Sequence, residues 1–199
     1  MLYNTQRFRV VLLALAVLAV SACGKKDNAG TDTTAAITGD TTVTGGSTMT
    51  PAWSDANIFA LLDETNVGDS THGALASTKG TSASVRDFGK QMMRDHHAMR
   101  AAGQTLAKRL DITPTPPPDD ELPADAQKAS DVLASTAKGK DFDKAYIDHE
   151  VEMHKRILDI AIRSMSAAQS TELKNMIQKA APTVQAHLDK AQSIQRNMQ

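Results

Sequence analysis

Four histidines fall where helical spacing calls for aliphatic residues, and that is where chemistry is to be sought. His96 stands in the series Val85, Gly89, Met92, His96, Met99, Gly103, Leu106, Leu110, whose steps alternate four and three. Such a series is one stripe down one helix, the part that buries a seam against neighbours. His72 and Asp69 share a similar series running from Ile58 to Ala76. Glu150 and His154 share one with Ile147, Ile157 and Ala161, and His187 lies in one from Leu173 to Met198. An imidazole on a buried seam must find a partner or lose its hydration without compensation. Carboxylate and imidazole together are the ligand set of a transition metal such as iron, zinc, manganese or copper. The candidate metal ligands by spacing are therefore His72, His96, His154 and His187, joined by Asp69 and Glu150.

The spacing limits that site. Di-iron bundles draw bridging carboxylates from Glu-x-x-His pairs. The positions three before His96 and His187 are Met93 and Val184, so a full di-iron site is not expected and a mononuclear one is. Met92 and Met99 beside His96 would suit copper(I), but methionine at such positions is a routine core filler. An alternative keeps the same residues for structure: a buried hydrogen-bond network fixing helix register in a non-enzymatic stress or interaction protein. A third reading, an oxidase or peroxide-handling enzyme, rests on fold analogy alone. No nucleophile stands at a recognisable spacing from a base, and there is no glycine-rich phosphate loop, so hydrolase and nucleotide chemistry have no support.

The elements that must position these residues are helices. Aromatics make up only 4% of the 199 residues, and no alternating strand pattern occurs. The first helix is expected to start at Ser54 or Asp55 and to break at Lys79-Gly80-Thr81. The second covers Val85 to Leu110, with Ser84 and Asp87 resembling a capping box. Five of the seven prolines lie between Asp111 and Pro123 and end it. A short helix without assigned chemistry should run from Ala124 to about Lys138. A long one starts near Gly139 and Asp141. The last is capped by Ser170 and should bend at Pro182. In such hairpins His96 lies roughly level with Glu64 and Thr65, and His187 with His149 and Glu150. The expected fold is all-α: a ferritin-like four-helix bundle with a long proline-rich crossover between two helical hairpins.

Residues 1–22 read as a lipoprotein signal peptide. Arg7 and Arg9 precede an apolar run, and Leu18-Ala19-Val20-Ser21-Ala22 leads to Cys23, the only cysteine. This resembles the lipobox of bacterial lipoproteins, which implies cleavage after Ala22 and acylation of Cys23. Gly24 in place of Asp favours the outer membrane. Residues 23–52 are then the acylated Cys and a disordered tether, rich in Thr, Gly and Asp, and residues 53–199 the four-helix-bundle domain. The formal net charge of −1 excludes a basic nucleic-acid binder. The expected partner is the outer membrane through the lipid anchor, with the domain facing the periplasm. No protein partner is named by any motif.

Three pieces of sequence resemble a known group. They are Val85-Arg-Asp-Phe88-Gly-Lys-Gln-Met-Met-Arg-Asp95-His96, Phe142-Asp143-Lys-Ala-Tyr146 with His154, and Pro182 with His187-Leu188. The chain from about Ala56 to Ser193 is similar to a bacterial ferritin-like family of unknown function whose members are often labelled outer-membrane proteins. The resemblance implies a secreted, often lipidated bundle with no settled activity. It matches His96, His154 and His187 to family positions, which implies those three as the expected metal ligands with Glu150 and Asp69 assisting. It matches Asp69 to a position that usually carries Glu.

Overall fold

A computed structural model of the chain describes residues 53–198. The signal, Cys23 and the tether expected from the sequence lie outside the described residues. Five helices and no strand are found among them: α1 (Asp55–Lys79), α2 (Ala83–Arg109), α3 (Leu122–Ser135), α4 (Lys140–Ala167) and α5 (Thr171–Arg196). None of these helices is long and apolar enough to cross a membrane.

Local chemistry accounts for the boundaries. Ser54 caps α1 in a reciprocal box with Asn57, whose side chain accepts the Ser54 N–H at 3.0 Å. Ser170 caps α5 by accepting the Leu173 N–H. The expected box at Ser84 and Asp87 does not form. Ser82 is the N-cap of α2 instead, accepting from Val85 N–H at 3.2 Å. Tertiary contacts decide this, because the Asp143 carboxylate holds the N–H groups of Thr81 and Ser82, each at 2.7 Å. α3 begins earlier than expected and stops at Ser135. Pro123 belongs to its first turn, where a missing N–H costs nothing. α5 continues through Pro182 as one helix.

Packing follows the seams. α1 lies along α2 and α4 along α5, while α1 also meets α4 and α2 meets α5. α3 rests on α1 and α4. The segment before α3 is pinned to the start of α1, where Thr115 N–H donates to the Ala56 carbonyl at 3.1 Å. Two carboxylates join the pairs in matching fashion. Asp55, in the first turn of α1, accepts the N–H groups of Gln169 and Ser170 at 2.8 and 2.9 Å, and Asp143 of α4 does the same for the α1–α2 turn.

The core has two apolar ends. One holds Ala76, Val85, Phe88, Met92, Phe142, Tyr146, Ile147, Leu188, Ala191 and Ile194. The other holds Ile58, Phe59, Leu106, Ala107, Ala161, Leu173 and Ile177. Between them in chain position, on all four long helices, come the buried polar residues Thr65, Asn66, Asp69, His96, Glu150, His154 and His187.

Close approach of α1 and α2 rests on a glycine pair. A Cβ on Gly73 would lie 2.6 Å from the Gly89 carbonyl oxygen, and one on Gly89 at 2.6 Å from that of Gly73. A Cβ on Gly103 would meet only the Met176 methyl, at 4.0 Å. Overpacking costs about 1–3 kcal/mol, whereas Ala gains about 1 kcal/mol over Gly in a helix. Gly89→Ala is therefore expected to lower the unfolding free energy and Gly103→Ala to raise it. Urea titration of both checks this, and shifts of the same sign would refute it.

A candidate metal centre between two apolar ends

The polar layer begins with three rings. Seams set by apolar neighbours carry His96 of α2, His154 of α4 and His187 of α5 inward, and each is at most 1% exposed. Their centroids are 5.3, 5.4 and 5.5 Å apart, nearly an equilateral triangle. One ring nitrogen of each lies within 4.8 Å of those of the other two. Asp69, Glu150 and His154 form a second trio by the same measure. All five residues expected from the sequence are thus gathered in two overlapping groups that share His154.

The other nitrogen of each ring is already engaged, and its partner determines the tautomer. Asn66 donates its amide N–H to the Leu62 carbonyl at 2.6 Å, which turns Oδ1 towards His96. His96 Nδ1–H donates to that oxygen at 2.9 Å, with Asp69 Oδ2 at 3.5 Å. His154 Nδ1–H donates to the Glu150 carbonyl at 2.9 Å, with Glu150 Oε2 at 3.4 Å. His187 Nε2–H donates to Asp95 Oδ2 at 3.0 Å. What remains is His96 Nε2, His154 Nε2 and His187 Nδ1, each buried without a hydrogen-bond partner among the described residues. In the neutral ring each of these is a lone pair.

Electrostatics keep the rings neutral. Burial, then the neighbouring His154 and His187, depress His96 to about 2. Burial depresses His154 to about 4, and it also lowers His187. The carboxyls go the other way. Burial raises Asp69 to about 8, and burial with the nearby Asp69 raises Glu150 well above the carboxylate range. Among the described residues none of their four carboxyl oxygens has a hydrogen-bond partner, and neither does the Tyr146 hydroxyl. Asp95 differs: the His187 hydrogen bond and Arg94 outweigh partial burial and hold it below the usual range, so it is a charged acceptor.

The remaining histidines take no part. His97 is exposed. His72 is buried but turned to α3, where Nε2–H reaches the Ala126 carbonyl at 3.2 Å and lies 3.0 Å from Ser130 Oγ. Its Nδ1 accepts from His149 Nε2–H at 2.9 Å. Sequence reasoning gave α3 no chemistry, yet α3 satisfies this ring. It also did not identify Asp95 or Asn66 as partners. Asp95 adjoins His96 in sequence but serves His187 on another helix, and no periodicity signals that. Glu64, level with His96 by counting, belongs elsewhere. Its carboxyl is raised to about 8 by burial and by Asp120 of the crossover. Met92 packs in one apolar end and Met99 beside Ile157 and Val184, as filler. Met93 is exposed, so no bridging group would be available there.

Residues 40–194 match the domain of unknown function DUF4142. That span reaches 13 residues further back than the domain boundary expected at residue 53. No curated protein and no solved structure matches the chain.

The shifts give the ion-free protein a two-sided pH dependence. His72, His96, His149, His154 and His187 are depressed, so the stability they contribute is present above 6.5 and lost as pH falls towards about 4. Asp69, Glu150 and Glu64 are raised, so theirs is lost as pH climbs towards about 8. The imidazoles outnumber the carboxyls. In excess chelator the melting temperature should rise from pH 4 to 6.5 and fall again towards pH 8. A melting temperature flat across that range would contradict the buried charge states.

Proposed function

The chain belongs to the DUF4142 family, which is defined by a domain of unknown function, and on that premise we propose that it is a metal-binding protein of the cell envelope. One divalent transition-metal ion is held by His96 Nε2, His154 Nε2 and His187 Nδ1. The fold is a ferritin-like four-helix bundle, made of the α1–α2 and α4–α5 hairpins with residues 110–139 as the long crossover carrying α3. Cys23 is the lipid anchor, and the domain faces the periplasm from the outer membrane.

The observation that carries the metal reading is the convergence of three buried ring nitrogens, one each from His96, His154 and His187, within 4.8 Å of one another. The second nitrogen of each ring is engaged by an acceptor, which leaves His96 Nε2, His154 Nε2 and His187 Nδ1 as buried lone pairs. Three lone pairs brought together away from bulk solvent repel one another, and a bound cation compensates for both effects. Carboxylates behind metal-bound imidazoles are a recurrent arrangement that raises ligand basicity. Asp95 meets that description directly; Asp69 and Glu150 stand at 3.5 and 3.4 Å from their rings. Their role is to orient and to neutralise. Two carboxylates, on losing their protons, balance a divalent ion on neutral ligands. Three imidazoles suit zinc, copper and iron better than manganese.

The hydrogen-bond network reading fits this geometry less well. A network that served register alone would pair the nitrogens that are left over. The layer would then be indifferent to chelators.

Protein purified without added metal, or loaded with cobalt(II) or zinc, is expected to hold one ion per chain. The double variant His96→Ala, His187→Ala should hold none. Chelator should lower the melting temperature of the wild type and leave the double variant unmoved. Asp95→Asn, which keeps the shape and removes the charge, should weaken affinity by about 10-fold or more. Equal, negligible metal in wild type and double variant would end the reading. For the anchor, Cys23→Ser is expected to move the chain from the membrane to the soluble fraction; an unchanged distribution would remove the lipid from the proposal.

A further inference from the structure

The two faces of the histidine layer differ. Glu150 precedes His154 by one turn, towards Tyr146 and the first apolar end. One turn beyond the rings, towards the other end, come Met99 of α2, Ile157 of α4 and Val184 of α5. These line a chamber of about 410 Å³ whose wall also includes His96 and Asn66. Phe59, Ala161 and Ile177 continue the wall away from the rings. The chamber thus reaches the triad at His96, on the side away from Asp69 and Glu150, neither of which lines it.

The polar groups around the chamber are already engaged. The Asn66 amide donates to Leu62 and accepts from His96, and the Thr65 hydroxyl donates to the Leu62 carbonyl at 3.1 Å. Arg100 and Asp63 form a paired ion bridge at 2.9 and 3.2 Å, and Gln104 donates to the same carboxylate at 2.9 Å. Lys179 and Thr183 are exposed. A charged ligand inside would therefore lose its hydration without a partner. A ligand with a polar end has one place to put it, which is the coordination position that three protein nitrogens leave open.

We infer that this chamber is the ligand site of the His96–His154–His187 centre. It takes an uncharged molecule with an apolar body and one Lewis-basic end, the body lying against Met99, Ile157 and Val184 and the basic atom on the ion. The inference rests on the metal reading above. No bond is made or broken in the ligand; its lone pair fills the open position. Its size suits a ring or a short chain rather than a polymer, since small-molecule pockets start at about 300 Å³.

The test uses the cobalt(II)-loaded protein, whose visible spectrum reports the ligand field, with imidazole and 4-phenylimidazole as probes at slightly alkaline pH. Both present the same basic nitrogen, and only the second carries an apolar body. The wild type is expected to bind 4-phenylimidazole roughly tenfold or more tightly than imidazole, from the ring surface removed from water. Gly103→Leu fills the chamber from α2, at a position with room for a side chain. It should keep the cobalt spectrum and bring the two affinities together. Ala180→Leu fills it from the α5 wall and gives the same reading if Gly103→Leu does not fold. Absence of any cobalt spectrum in the wild type overturns the metal reading and this inference with it. A normal spectrum with equal affinities in the wild type overturns this inference alone. So does a preference that survives in a plugged variant.

Discussion

The structure depends on one constraint: a layer of polar groups cut off from water in the middle of a helical core. His96, His154, His187, Asp69 and Glu150 are all at most 1% exposed. Each group without a partner there carries a desolvation cost of the order of 1–3 kcal/mol, against a total stability that for a domain is only about 5–15 kcal/mol. The apolar clusters at the two ends must offset that cost. Phe88, Phe142, Tyr146 and Leu188 do so at one end, and Phe59, Leu106, Leu173 and Ile177 at the other.

A layer built from four helices also needs exact register, since one residue of slip rotates a helical side chain by about 100°. The contacts that hold register lie away from the layer. Asp55 and Asp143 each seize two successive N–H groups of the opposite turn, locking the pairs end to end. Gly73 and Gly89 bring α1 and α2 backbone to backbone. The rings themselves are then turned by fixed acceptors: the Asn66 amide, the Glu150 carbonyl and the Asp95 carboxylate. Positioning is thus divided. Distant clamps set height, and near acceptors set rotation and tautomer.

The layer has a polarity that bears on function. Acids and the Tyr146 hydroxyl lie on one face, and the apolar chamber on the other. The chamber touches the layer at His96, and the one carboxylate in its wall, Asp63, is held by Arg100 and Gln104. In a scaffold of parallel and antiparallel helices this polarity follows from one turn of sequence: Glu150 before His154, and Ile157 after it.

Much of this was legible in the sequence. The alternation of fours and threes placed His96, His154, His187, Asp69 and Glu150 on buried seams, and the absence of a strand pattern made the described chain all helical, because periodicity is a local property that needs no partner. The proline run marked the end of α2 for the same reason. Tertiary structure alone decided the rest. It moved the α2 cap from Ser84 to Ser82, because Asp143 lies 61 residues from that turn. It sent His72 to α3 and His187 to Asp95, choices that depend on which helices become neighbours. It brought Asp69 and Glu150 together beside His154, since spacing along one helix says which face a side chain takes but not which atom of another helix it meets.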